Sequence, residues 1–394
     1  MRFTYFFKLF VILAFIFQSN SYAEDEHDHD HAAHSDEPFY GHVGIRVHAD
    51  HINDAASGTK EVNEWYTHSH IELGSKIAEG FNIDTNIKVE GEPGGHAHGG
   101  VSRTHDGSTR VFEDHPLLVE SLTLTYSHED FSVYLGKFNP KVGLDYHSFP
   151  GLYSYSMIEE YKIAERIGAG VKFGANFDDF GTHKLNISSF HADTTFLSDS
   201  ILDKRGHTSK SDGGLANTED FDSYAISIGG KDFYSLNNNI AERVFYRLGY
   251  AHQKAGIGNE SDEDRYSVSF GYKENFSTGI SKTLIFEYMD IEHYGGETGH
   301  DRSYFSASLG LKMYPWNFAT TYTFVDNNKA EEEEEEEEGH EHSEAEGEDA
   351  KLLQISIGYA VSPDLNIDFG FKRTDEEDEV TERFGFGLRY MFEL

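Results

Sequence analysis

An apolar–polar alternation with a two-residue period recurs along this chain and restricts it to β-structure. The clearest instance is Phe81-Asn82-Ile83-Asp84-Thr85-Asn86-Ile87-Lys88-Val89-Glu90, where odd positions are apolar or Thr and even positions are polar. Successive side chains of a strand point to opposite faces, so each such segment carries one apolar and one polar face. The pattern likewise sets Tyr266, Val268, Phe270 and Tyr272 against Arg265, Ser267, Ser269, Gly271 and Lys273. It predicts strands over 39–49, 64–76, 81–91, 117–127, 131–137, 163–175, 183–193, 221–231, 240–253, 264–274, 279–290, 302–313, 316–325, 351–361, 364–373 and 382–394. Sixteen is even, and the lengths suit the ~9–11 residues a tilted strand needs to cross a bilayer. Segment 183–193 fits least well, because its alternation breaks at Phe190.

The connections sort by length. Segments 50–63, 92–116, 138–162, 194–220, 254–263, 291–301 and 326–350 are mostly long, whereas those between them are mostly short, the 232–239 turn being longer and the final outer loop short. Long loops on one rim and short turns on the other belong to membrane barrels, and a soluble sandwich has no cause to sort them so. The fold class expected is therefore all-β: a 16-stranded antiparallel transmembrane β-barrel with long loops on the outer rim and short periplasmic turns.

Composition agrees. Only 38% of residues are hydrophobic and the net charge is −38, values that border on disorder. Yet the chain holds 23 Tyr and 31 Phe. A barrel around water uses many aromatics without a solid core. The absence of cysteine excludes a disulfide scaffold and a thiolate metal site.

Residues 1–23 read as a signal peptide: Arg2 and Lys8, an apolar run from Leu9 to Phe17, then Ser21-Tyr22-Ala23. Residues 24–38 form an acidic, His-rich tail and 39–394 the barrel. The tail is too short for a plug domain, and plugged transporters have 22 strands.

Projected onto two faces, the strands place Arg46, Lys76, Lys88, Arg166, Lys172, Lys184, Arg243, Arg247, Arg265, Lys273, Lys312, Lys372, Arg383 and Arg389 on the lumen wall. The facing carboxylates are fewer: Glu72, Asp84, Glu90, Glu287 and Asp368. Negative charge gathers instead in residues 24–37, in Glu331 to Glu338 and in Asp375 to Glu379. Runs of like charge are usually solvated tips, and their field fades over ~8 Å at physiological salt. The wall should then dominate, giving weak anion preference or none.

Twenty-three histidines are an excess. They cluster as His27, His29 and His31, as His96 and His98, and as His340 and His342, while His42, His48, His68 and His70 fall on inward positions. Imidazole with carboxylate suits borderline divalent metals, although ordering a flexible tract weakens binding. No cofactor is required on this reading; a weakly bound divalent metal is what these residues would hold.

The stretches Gly136-Lys137-Phe138-Asn139-Pro140, Phe149-Pro150-Gly151-Leu152-Tyr153, Glu159 to Gly168 and Ala192 to Ser200 resemble proteobacterial porin-domain outer-membrane proteins related to phosphate-selective porins and the legiobactin siderophore receptor. The resemblance spans 136–200 and implies that the third long loop, 138–162, folds inward to narrow the pore. Asp145, Glu159 and Glu160 would then face Lys137, Lys141, Lys162 and Arg166 across a constriction; alternatively, Glu159 and Lys162 pair where the loop rejoins the wall. The last strand, with Phe384, Phe386, Leu388, Tyr390, Phe392 and Leu394 on one face, resembles the signal read by the barrel-assembly machinery.

The function expected is passive passage of small hydrophilic solutes, anionic ones included, through the outer membrane of a Gram-negative bacterium. The alternatives are a plug-less receptor for metal ions or metal chelates, and a structural or adhesive barrel. No recognisable nucleophile or acid–base spacing points to an enzyme. Expected partners are membrane lipid, the solute or chelate, and the assembly machinery; a homo-oligomer is allowed, and no nucleic acid is expected.

Overall fold

The computed structural model describes residues 38–53, 62–91, 109–145, 148–154, 156, 158–203, 205–233, 243–276, 279–329, 349–376 and 379–394. The signal-peptide and tail expectations, and His27, His29, His31, His96, His98, His340 and His342, lie outside the described residues.

Sixteen long strands run in chain order: β1 Phe39–Asn53, β2 Asn63–Ala78, β3 Phe81–Glu90, β4 Pro116–His128, β5 Phe131–Phe138, β6 Arg166–Asn176, β7 Thr182–Ala192 and β8 Ser223–Lys231. They continue as β9 Val244–Gln253, β10 Glu263–Asn275, β11 Ile280–Glu292, β12 His300–Met313, β13 Trp316–Lys329, β14 Ala350–Ala360, β15 Leu365–Glu376 and β16 Glu379–Glu393. Each pairs antiparallel with its sequence neighbours, and β1 pairs with β16 from His42↔Glu393 to Asn53↔Glu382, which closes the sheet. Closure gives each of these sixteen strands a partner on both sides, the condition a sheet must meet in hydrocarbon. Among the described residues, no helix is long and apolar enough to cross a membrane.

The two faces separate as the alternation requires. On β10, Tyr266, Val268 and Phe270 are exposed outside, while Arg265, Ser267 and Ser269 are buried inside. An apolar exterior around a polar interior inverts a soluble protein and is the arrangement of a lipid-embedded barrel. Aromatic side chains band the outer surface at both heights. Tyr224, Tyr250 and Tyr266 meet in succession near the long-loop rim, the first pair edge-on and the second tilted. Trp316 with Tyr359, and Phe131 with Phe173, lie near the short-turn rim. Such girdles sit at the two membrane–water boundaries.

The irregular strand β7 has a physical explanation. Phe190 faces inward and is wholly buried in a cluster that joins Tyr134 and Phe138 of β5 to Ile163 of the inserted loop. Its apolar side chain departs from alternation because it meets the protein's own chain rather than water. A bulge at Asn86/Ile87 shifts the β3–β4 register and turns Glu120 inward.

Candidate functional site

The loop between β5 and β6 enters the barrel and fastens to its inner wall. Val142, Phe149, Ile158, Tyr161 and Ile163 of this loop pack with Ile285, Met289 and Ile291 of β11, Tyr304 of β12, Val325 of β13 and Leu352 of β14. These wall residues are apolar at positions where water would otherwise be met, so burial under the loop stabilises both surfaces.

Two wall carboxylates hold the loop's base. Glu120 on β4 accepts from Lys162 Nζ at 2.8 Å and Asn139 Nδ2 at 3.0 Å, as well as from Lys88 and Asn86. Glu287 on β11 accepts from the Leu144 amide at 2.7 Å, the Tyr161 hydroxyl at 2.7 Å and Ser269. These strands are seven apart around a closed sheet of sixteen. The adjacent residues Tyr161 and Lys162, at the end of the short helix α1 (Ile158–Tyr161), thus reach nearly opposite walls.

The tip is fastened separately. Tyr153 donates its hydroxyl to Asp50 Oδ1 at 2.8 Å on β1, and its amide to Gln354 Oε1 at 3.0 Å on β14. Asp50 also receives Tyr66 at 2.9 Å and Arg383 at 3.0 Å. A glycine at 385 makes room: a Cβ there would stand 1.8 Å from the Tyr153 hydroxyl oxygen.

The expected constriction residues separate into different roles. Lys137 is sealed from water, with its ammonium 2.8 Å from Glu165, 2.9 Å from Asp193 and 2.9 Å from the Leu197 carbonyl. It is therefore no pore-facing group: residues of the following loop fold back over it. Lys141 and Asp145 pair at 3.3 Å along one segment instead of opposing each other across the lumen. Lys162 reaches Glu120, whereas the alternative reading paired it with Glu159. Arg166 donates to Gln253 Oε1 at 3.0 Å.

Glu159 and Glu160 occupy the helix inside the barrel. Burial raises the Glu159 carboxyl to about 7, with Glu90 adding to the shift and His68, Lys88 and Lys162 opposing it. Burial likewise raises Glu160 to about 7, against Arg302 and Lys372 and with Glu376. Glu160 also receives the Tyr304 hydroxyl at 3.1 Å. Both carboxyls therefore exchange protons near neutral pH.

Among the wall cations, Arg243 needs correction. It precedes β9 by one residue and binds Glu274 and Tyr272, which share the outward parity of Val268 and Phe270. The others lie on the inward parity. Arg247 donates to the Gly143 carbonyl and Arg265 to Glu263 and the Tyr161 carbonyl. Lys172 lies over the Tyr134 ring and Lys372 over the Tyr153 ring. Lys88 meets Glu120, and Arg389 lies 3.6 Å from Asp368. Lys312 shares the field of Lys273 and Arg389, which in turn shares that of Arg46.

The inward carboxylates are more numerous than expected, although the wall cations still exceed them. Asp50, Glu64, Glu120 and Glu263 are the additions, all buried. Glu64 and Glu263 sit at strand ends, where alternation has no second side to compare; Asp50 lies just past the expected end of the first strand, which runs on to Asn53, and Glu120 sits in the bulge.

No protein-family model and no curated protein matches the sequence, so the likeness to phosphate-selective porins and the legiobactin receptor rests on the 136–200 motifs alone. Solved structures do share the fold. The chain is similar to the outer membrane channel DcaP of Acinetobacter baumannii, at 12% identity and a TM-score of 0.51 over 90% of this chain and 96% of that one. It is similar at 12% identity to a loop-deletion mutant of OmpT, an outer membrane protein of Vibrio cholerae, with a TM-score of 0.50 over 90% and 98%. The vanillate complex of Pseudomonas aeruginosa OpdK matches at 10% identity and a TM-score of 0.50 over 90% and 99%. The architecture they share with this chain is the closed sixteen-stranded antiparallel barrel.

Proposed function

We propose that this chain is a porin-like channel in the outer membrane of a Gram-negative bacterium, passing small hydrophilic solutes without catalysis. One observation carries the reading: a loop that crosses the barrel interior, fastened at Glu120, Glu287 and Asp50 by charged and polar groups. An adhesin needs no loop inside its barrel. A channel makes use of one, because the loop narrows the cross-section and presents titratable groups to what passes. Inserted from the long-loop side, it stands above Lys273, Lys312, Arg389 and Arg46. That stretch of wall supports a weak anion preference. The additional inward carboxylates argue against a strong one. The apolar last strand supports delivery by the barrel-assembly machinery.

Liposome swelling tests the proposal. Vesicles bearing the purified barrel should swell in small neutral sugars and small organic anions, faster than in larger sugars of equal osmolarity. Swelling indistinguishable from protein-free vesicles in every solute would refute passage and return the adhesive reading to the front.

A further inference from the structure

From the inner wall of β1 and β2 we infer that His42, His70 and Glu72 form a binding site for one divalent transition-metal ion. One ligand atom from each converges with the others within 4.8 Å. His42 Nε2 lies 3.3 Å from His70 Nε2 and 3.8 Å from Glu72 Oε2. For metal–nitrogen bonds of ~2.0–2.1 Å, the edge of a tetrahedron is about 3.3–3.4 Å. The two imidazoles are thus already spaced as a tetrahedral ion requires. Two imidazole nitrogens and one carboxylate oxygen select zinc, nickel, cobalt or copper(II) over magnesium and calcium.

The surrounding wall is shaped for this convergence. His42 stands opposite Glu72 and Gly44 opposite His70 in the β1–β2 register. The His70 ring lies across Gly44, where a Cβ would approach its Cε1 to 2.4 Å and its Nε2 to 2.7 Å. Without a side chain at 44, the ring leans over β1 and reaches His42, almost perpendicular to that ring at 88°. Lys88, paired in register with His70, directs its ammonium to Glu120 at 2.8 Å and Glu90 at 3.8 Å. The carboxylate of Glu72 supplies negative charge to offset the ion. His42 and Glu72 keep 16% and 10% side-chain exposure on the inward parity, which gives an ion access from the lumen. The site lies towards the short-turn rim, below the inserted loop, and does not depend on whether the barrel conducts.

Two measurements on the full-length protein in detergent test the assignment. Crystals soaked in zinc chloride should give an anomalous peak among the His42, His70 and Glu72 side chains. Zinc titration calorimetry should then lose one equivalent in His70→Ala and in Gly44→Ala. That equivalent should weaken at least ~100-fold, since even outer-shell changes cost 10–100-fold. Glu72→Gln should weaken the same equivalent while keeping the local shape. Absence of a peak at these three residues when zinc occupies other histidines would overturn the inference. So would wild-type stoichiometry and affinity in correctly folded His70→Ala, because the two imidazoles would then be no more than a hydrogen-bonded pair.

Discussion

Replacing Glu287 by Ala should loosen the inserted loop while leaving the barrel closed. The side chain is 2% exposed and accepts two bonds from the loop, from Leu144 N–H and Tyr161 O–H, both at 2.7 Å. Hydrogen bonds to a charged group contribute ~1.5–3 kcal/mol each, so the pair holds the loop by about 3–6 kcal/mol. Their loss shifts the docked–undocked equilibrium roughly 10²–10⁴-fold towards undocked. The tip contacts of Tyr153 and the Glu120 contacts remain, so excursions rather than permanent opening are expected. In a planar bilayer the wild type should give steady current, and Glu287→Ala should add frequent excursions to higher conductance. Circular dichroism and heat-modifiable gel mobility should stay those of a folded barrel. An identical current record in a folded Glu287→Ala protein would refute the idea that this carboxylate fastens the loop that sets conductance.

Gly385→Val approaches the same outcome from another side: its Cβ would collide with the Tyr153 hydroxyl at 1.8 Å, so current excursions should appear with Glu287 intact, and a quiet record would contradict the tip contact. The proton-exchanging pair sets a pH window. With folded values of about 7 against an ordinary 4.5, Glu159 and Glu160 leave loop docking unpenalised below pH ~4.5 and weaken it as pH rises through about 7. Current noise should therefore be greater at pH 8 than at pH 5, and Glu159→Gln with Glu160→Gln should abolish the difference. Lys137→Met leaves the buried Asp193 without its cation, while Glu165 keeps Arg205; breaking one partner from a buried ion pair costs about 3–5 kcal/mol, which should show as faster proteolysis of the loops in a folded barrel.

Much of the architecture was legible because lipid enforces the alternation that sequence displays. A strand such as Phe81–Glu90 has one face in hydrocarbon and one in water, so its side chains report its orientation directly. The interior was less legible wherever the protein's own loop replaces water. Phe190 breaks the pattern for that reason, and Ile285, Met289 and Ile291 are apolar on the inward face beneath the loop. Lys137 reads as a pore cation but is consumed by Glu165 and Asp193, residues 28 and 56 positions away. Glu287 was visible as an inward carboxylate; its partners Leu144 and Tyr161, more than a hundred residues distant, were not. Arg243 shows the limit at strand ends, where one residue of register decides the face.

Single-channel recording of the purified protein bears most directly on the central claim that sixteen lipid-facing strands enclose an aqueous path. Discrete conductance steps should appear on insertion, with a reversal potential close to zero or slightly to the anion side in a potassium chloride gradient. Insertion confirmed by protease protection, with current no greater than that of bare lipid, would contradict it.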